Sequence, residues 1–247
     1  TYASITLTAG VAVNGNIAVK DEMTDYAAGT FAGYNILNNT LLGVNLLNNI
    51  TITTYLNGTL AESKTGAGNL LSILNSSLID SPKATVVGFV TTQAFDEVKF
   101  TINQTVGLNV GTTEVYGLVL EKFCAGPANL PCNQVRRLSG DVYPAVIQSE
   151  RTGTTGIALG SVRDAENVVS NDAHDYASIK LPLGIAATGS ISVHDVLTDY
   201  PAGNYAGFVV ESTTLLNLNI LGSTTIRTYL NGNLQETQSG SNLIISA

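Results

Sequence analysis

The chain repeats itself. Residues 2–66 recur at 176–240, a shift of 176 − 2 = 174 positions, and roughly half of the aligned residues are identical. Tyr2-Ala-Ser-Ile answers Tyr176-Ala-Ser-Ile, Thr24-Asp-Tyr-Ala-Ala-Gly answers Thr198-Asp-Tyr-Pro-Ala-Gly, and Thr54-Tyr-Leu-Asn-Gly answers Thr228-Tyr-Leu-Asn-Gly. Chance does not produce agreement on that scale. Solenoid repeats run about 20 to 50 residues. A period of 174 is far longer, so each unit is expected to be a whole domain strung on its neighbour.

Within a unit the apolar residues alternate. Gly15-Asn-Ile-Ala-Val-Lys, its counterpart Gly189-Ser-Ile-Ser-Val-His, and Ile50-Thr-Ile-Thr-Thr-Tyr-Leu follow the period of two that half-buried antiparallel strands show. Asn57-Gly58 and Asn231-Gly232 read as type I′ hairpin turns, whose central residues both need positive φ. Val86-Val-Gly-Phe-Val, Val98-Lys-Phe-Thr-Ile-Asn and Val115-Tyr-Gly-Leu-Val-Leu-Glu-Lys-Phe add further strands. Short helical turns are expected only near 41–47 and 70–78. With 44% hydrophobic residues, 12% charged and 24 glycines, the composition is that of a turn-rich globular protein. The expected fold is all-β, built of tandem antiparallel β-sandwich, jelly-roll-like domains.

Tyr143-Pro-Ala-Val-Ile-Gln-Ser reads as an opening strand. It sets a first unit at 1–123, a linker at 124–140 and a second unit at 141–247. In this phase the first unit lacks N-terminal strands, and the second lacks counterparts of 85–123. Either the missing strands lie elsewhere in a longer chain, or incomplete sandwiches complete one another by strand exchange. The second arrangement is head-to-tail and forms an open filament unless its rotation closes.

The formal net charge is −8, and basic residues stand singly apart from Arg136-Arg137. No basic stripe is present to displace counterions from phosphates, so a nucleic-acid partner is not expected. Anionic membrane surfaces are equally poor partners. Membrane insertion is not expected either, because no apolar run approaches the roughly 18 residues that a spanning helix needs.

Cys124 and Cys132 frame the loop Cys-Ala-Gly-Pro-Ala-Asn-Leu-Pro-Cys, and the only histidines are His174 and His194. That spacing argues against a closed zinc site and for a local disulfide. Such a bond implies an oxidising compartment and would add roughly 2 to 3 kcal/mol on the chain-entropy model.

Asp21 and Asp25, beside Tyr26, correspond to Asp195 and Asp199, beside Tyr200. Paired carboxylates are the apparatus of glycoside hydrolysis, but turn capping accounts for them more simply. No histidine is common to both copies, since His194 replaces Lys20, and no enzyme is expected. The same replacement removes an isopeptide bond from Lys20 as a shared feature. Tyr26, Phe31 and Tyr34, matched by Tyr200, Tyr205 and Phe208, are either sandwich core or a stacking platform for sugar rings. Five Asn-x-Ser/Thr sequons, at Asn38, Asn49, Asn57, Asn75 and Asn103, are not read as glycosylated. The three that fall in the matched region are lost in the second copy.

The segment Glu166-Asn-Val-Val-Ser-Asn-Asp-Ala-His-Asp-Tyr-Ala-Ser-Ile, with Thr91-Thr-Gln-Ala-Phe-Asp-Glu-Val-Lys-Phe and Val115-Tyr-Gly-Leu-Val-Leu-Glu, resembles the galactose-binding-like jelly rolls. Their early acidic loop corresponds here to Asn167, Asn171, Asp172 and Asp175. The whole unit also resembles repeats of large secreted surface proteins and adhesins of Bacteroidota. That resemblance implies a calcium ion shared by an early acidic loop, Asp172 and Asp175, and a late glutamate, Glu121. Calcium accepts six to eight oxygen ligands in irregular geometry; turn hydrogen bonds are the alternative role for the two aspartates. The resemblance further implies an extracellular, cell-surface structural or adhesive segment, partnered by other copies, neighbouring repeats or surface glycans. The alternative is a carbohydrate-binding module of a secreted enzyme, from which the chain departs in having no Trp.

Overall fold

The computed structural model describes residues 1–8, 10–41, 43–73, 84–124, 130–139, 145–156, 160–182, 186–211 and 222–243. The first copy contributes β1 (Ala3–Thr6), β2 (Val13–Lys20), β3 (Phe31–Asn38), the short helix α1 (Gly43–Leu47), β4 (Ile50–Leu56) and β5 (Thr59–Thr65). It continues through β6 (Leu71–Ile73), β7 (Thr85–Val90), β8 (Glu97–Gln104) and β9 (Thr112–Glu121). The second copy and its head contribute β10 (Ala145–Ile147), β11 (Gly153–Gly156), β12 (Ser161–Arg163), β13 (Ser178–Lys180), β14 (Ala187–Ser190), β15 (Val193–Asp195), β16 (Thr225–Leu230) and β17 (Asn233–Ser239). The chain is all-β, and its ladders among the described residues are antiparallel. Helix does form near residue 43 as the sequence suggests, but residues 71–73 are strand β6, because they complete a ladder with β7. The rest of the 70–78 stretch lies outside the described residues.

Two sheets make the sandwich. One runs β2-β8-β4-β5, the other β1-β9-β3-β7-β6-β10-β15. Ile50 and Ile52 of β4 and Val98, Phe100 and Ile102 of β8 meet Ala32, Tyr34 and Ile36 of β3 and Val87 and Phe89 of β7 in one buried cluster. Strand β8 shows the cause plainly: its residues alternate between half-buried and buried along its whole length. The Tyr34 ring lies 5.7 Å from that of Phe100, and its hydroxyl donates to Val98 O at 2.7 Å. A deeply buried phenol thus finds the partner that burial demands, and burial raises its pKa.

Gly33 and Gly88 lie opposite each other in β3 and β7. A Cβ on Gly88 would strike Ala32 O, Gly33 Cα and the Phe31 ring. The pair therefore admits no side chain, and Phe31 fills the surface they leave open.

The compact units do not follow the 174-residue period. One comprises Thr1–Gly126 and Arg136–Leu197, the other Pro127–Val135 and Thr198–Ala247. Strand β10, from the head of the second copy, lies between β6 and β15 in the first unit's larger sheet, with Ile147 opposite Ser72 and Ala145 opposite Asp195. In the second unit β16 and β17 form their own two-stranded sheet.

The expected disulfide is not formed: Cys124 and Cys132 are both exposed free thiols. A disulfide needs a specific approach of the two backbones, and Pro131, directly before Cys132, restricts the conformations open to that end of the loop. Cys132 sits instead in a turn where Gln134 N–H donates to Pro131 O at 3.3 Å, with Asn133 at φ 60°. The stabilisation expected from the bond, and its argument for an oxidising compartment, fall with it.

Candidate functional site

The repeated carboxylate is a turn element. Asp21, just past β2, accepts from Met23 N–H at 2.9 Å and Thr24 N–H at 3.1 Å through Oδ1, and from the Tyr26 hydroxyl at 2.7 Å through Oδ2. These donors, led by the Met23 amide, hold its carboxyl below the usual carboxylate range. A glycosidase's general acid needs the opposite shift. In the second copy Asp195 Oδ1 accepts from Leu197 N–H at 3.1 Å, and Leu197 occupies Met23's place in the repeat. The same Asx turn is therefore built twice, while Asp25 and Asp199 are exposed. Tyr26 continues into a two-way backbone bridge with Phe95.

Beside this turn lies an open cavity of about 430 Å³, lined by Lys20, Asp21, Tyr26 and Asp96 among others. Asp96 is only 5% exposed. Its Oδ2 accepts from Asn57 N–H at 3.2 Å and lies 4.0 Å from Lys20 Nζ, while Oδ1 has no partner. Hydrogen bonding to Glu22 raises the Lys20 pKa, so one ammonium serves the rim and the buried carboxylate together. A second open cavity, about 390 Å³, lies against Tyr2 and Tyr116, whose rings are 5.3 Å apart and tilted by 51°. The Tyr116 hydroxyl donates to Glu114 Oε2 at 2.6 Å, which pushes its pKa up to about 12.

The repeated aromatics divide by copy. Phe31 is 0% and Tyr34 1% exposed, whereas their counterparts Tyr205 and Phe208 are 64% and 42% exposed. In the first copy these rings are core. Tyr26 stacks on Phe95 with centroids 5.4 Å apart.

Asp172, Asp175 and Glu121, the carboxylates that the resemblance assigns to calcium, are not gathered into one group among the described residues. Asp172 Oδ1 accepts from the His174 amide at 2.8 Å and lies 3.1 Å from its Nδ1, and Asp175 Oδ2 accepts from Ser170 Oγ at 2.8 Å. The His174 contacts lower the Asp172 pKa, the backbone amide most of all. Glu121 ends β9 opposite Phe31. Among the described residues no three His, Cys, Asp or Glu side chains gather at metal-binding range, well short of the oxygen shell that calcium takes.

A residue that the sequence reading passed over is Glu62. On β5, it is 9% exposed and caps the turn between β7 and β8. It accepts from Thr92 N–H at 2.7 Å, Thr92 Oγ at 2.8 Å and Gln93 N–H at 3.1 Å. Its counterpart Glu236 is exposed. The signal was available: an acidic residue kept in both copies of a strand whose neighbours Ala61 and Lys64 change to Gln235 and Gln238.

The described chain is thus an all-β sandwich followed by a second, sparsely covered copy of its own first half. No protein-family model, curated protein or solved structure matches it.

Proposed function

We propose that this chain is a structural or adhesive repeat segment of a secreted cell-surface or filament-forming protein. The carrying observation is that the head of the second copy enters the first copy's sheet: β10 pairs with β6 and β15. Successive repeats joined through a shared sheet make an array whose spacing is set by hydrogen bonding, not by a slack tether. A composition rich in threonine and asparagine with only 12% charged residues suits close lateral packing, and the partners are neighbouring repeats or other copies. Electron microscopy of the purified protein at rising concentration tests this. Filaments with an axial repeat support the reading, and dispersed particles at every concentration overturn it.

A second reading, a carbohydrate-binding module, draws on the exposed Tyr2 ring and half-buried Tyr116 beside their open cavity. A glycan array decides it: a saccharide hit abolished by Tyr116→Ala favours it, and uniform background removes it.

A further inference from the structure

Strand β2 ends the sheet β2-β8-β4-β5, and among the described residues no strand lies on its outer side. Its 8 residues, Val-Asn-Gly-Asn-Ile-Ala-Val-Lys, carry one charge and no proline, and they pair with β8 without a break in register. Sheet proteins ordinarily block such an edge with charge, proline or a bulge, because its unpaired peptide groups recruit a further strand. One step beyond the Lys20–Glu97 pair, Asp21 N–H donates to Asp96 O at 2.8 Å. Peptide groups of successive residues point to opposite edges, so those of Gly15, Ile17 and Val19 face β8. Those of Asn14, Asn16, Ala18 and Lys20 face away from it.

The second copy shows what takes this edge. Ser192 is the counterpart of Ala18, since 192 − 18 = 174. Its carbonyl accepts from Gln148 N–H at 2.8 Å, and its N–H donates to Thr152 Oγ1 at 3.0 Å. Strands β10 and β11, which pair with β15 and β14, therefore lie on the edge that corresponds to the open one of β2. They do not take the edge that β8 takes. Ile5 packs onto Gly15 as Ile179 packs onto Gly189, so the same face turns inward in both copies. Strand β10 meets β6 through its other edge, which makes this seat the place where the two copies share a sheet.

We propose that the outer edge of β2 docks the leading strand of another repeat, an uncharged apolar segment patterned like Ala145-Val-Ile-Gln. The proposal rests on the repeat-segment reading for the source of that strand. Directly opposed residues of an antiparallel pair share a face. Ile147 lies opposite Val193, the counterpart of Val19, and is only 4% exposed. Val19 is 40% exposed, and together with Leu118 it lines both open cavities, of about 430 and 390 Å³, on this flank of the sandwich. An aliphatic side chain at the place of Ile147 covers Val19 and enters that space. A charged one is left without a partner there.

The test titrates the full 247-residue chain into two labelled synthetic peptides, residues 145–156 as they stand and the same peptide with Ile147→Asp, followed by fluorescence anisotropy. The unaltered peptide is expected to bind, and the aspartate peptide to bind about ten-fold more weakly or worse. Amide exchange is expected to slow at Asn14, Asn16, Ala18 and Lys20 and to stay unchanged at Gly15, Ile17 and Val19. Ala18→Pro in the chain removes an outward N–H at a position where an edge strand tolerates proline, and is expected to abolish binding while exchange in β4 and β8 reports an intact fold. The proposal is overturned if the peptide does not bind, if the two peptides bind equally, or if Ala18→Pro leaves binding unchanged. Protection at β14 and β15 instead of β2 also overturns it, because the peptide would then be replacing the chain's own β10 and β11. So does a concentration-dependent dimer that Ala18→Pro abolishes and the peptide does not, by assigning the edge to a second copy of β2. Micrographs separate the two readings: filaments without peptide binding remove this proposal alone, and peptide binding without filaments removes the repeat-segment function alone.

Discussion

Residues 31–36, Phe-Ala-Gly-Tyr-Asn-Ile, and 205–210, Tyr-Ala-Gly-Phe-Val-Val, are near-equivalents that end up in different states. The first is the buried centre of a sheet between β9 and β7; the second carries no strand and is exposed. Intrinsic preference does not separate them, since Val209 and Val210 are better strand formers than Asn35 and match Ile36. What differs is the neighbours. Residues 31–36 are laddered to both β7 and β9, whereas among the described residues 205–210 join no ladder. β-propensity measures fit to a pleated, covered surface more than any property of the backbone alone. Features that need only nearby residues survive in both copies. The hairpin turn keeps φ 52° and 78° at Asn57-Gly58, and 49° and 80° at Asn231-Gly232. Ile5 packs onto Gly15 just as Ile179 packs onto Gly189.

The largest expected difference between the copies is in the aromatic pair. Tyr34→Ala removes a buried ring and the hydroxyl that ties β3 to Val98, and is expected to cost about 3 to 5 kcal/mol by denaturant unfolding. Phe208→Ala is expected to stay within about 0.5 kcal/mol. Equal losses would break the comparison, because they would mean that 205–210 is packed in solution.

Next comes the capping carboxylate. Glu62→Gln turns a charge-assisted acceptor of three donors into a neutral amide and is expected to cost about 1 to 3 kcal/mol. Glu236→Gln in the isolated chain is expected to be near neutral, within about 0.5 kcal/mol. A measurable cost at Glu236 would show that its strand is already covered.

These contrasts also explain what was legible in the sequence. The hairpins, the Asx turns and the alternating strand β8 are local codes, and each was readable from a few residues. Residues 143–149 read as an opening strand; that β10 would join the sheet of the preceding copy was not readable, because pairing across 147 − 72 = 75 residues leaves no local mark. The disulfide failed because proximity in sequence is not proximity in space, whereas Asp172, Asp175 and Glu121 are named by a resemblance and by no local pattern. Glu62 was overlooked because its partners, Thr92 and Gln93, lie two strands away.

A smaller effect should be the same in both copies. Asn57 and Asn231 each hold the left-handed conformation, so Asn57→Ala and Asn231→Ala are both expected to loosen their hairpins by about 1 kcal/mol. Amide exchange at β5 and β17 reads this directly. Unequal losses would show that tertiary cover, and not the turn, holds one of the hairpins.

The acid limb of the stability curve tests the Asx turn. The folded-state pKa of Asp21 lies below the ordinary aspartate value, so the native state holds this proton less tightly than the unfolded one. Its stabilisation is present above that unfolded value and is lost as pH falls through the lower folded value. Asp21→Asn is expected to flatten the melting temperature against pH in that window by lowering the neutral plateau toward the acid limb, where the wild-type carboxyl is protonated as well. Asp195→Asn run in parallel shows whether the second turn draws on the same charge.

The smallest expected effect is that of a chelator. An ion bound to the native state alone raises stability by RT ln(1 + [L]/Kd), so a calcium ion bridging Glu121 of the first copy to Asp172 and Asp175 at the head of the second would make the melting midpoint fall on its removal. The acceptor oxygens are already engaged, Asp172 by His174 and Asp175 by Ser170, and the third carboxylate is not gathered with them. No shift in midpoint with EDTA, and none on adding calcium, is therefore expected. A fall of several degrees would mean that an ion joins the copies in addition to the β6–β10 pair.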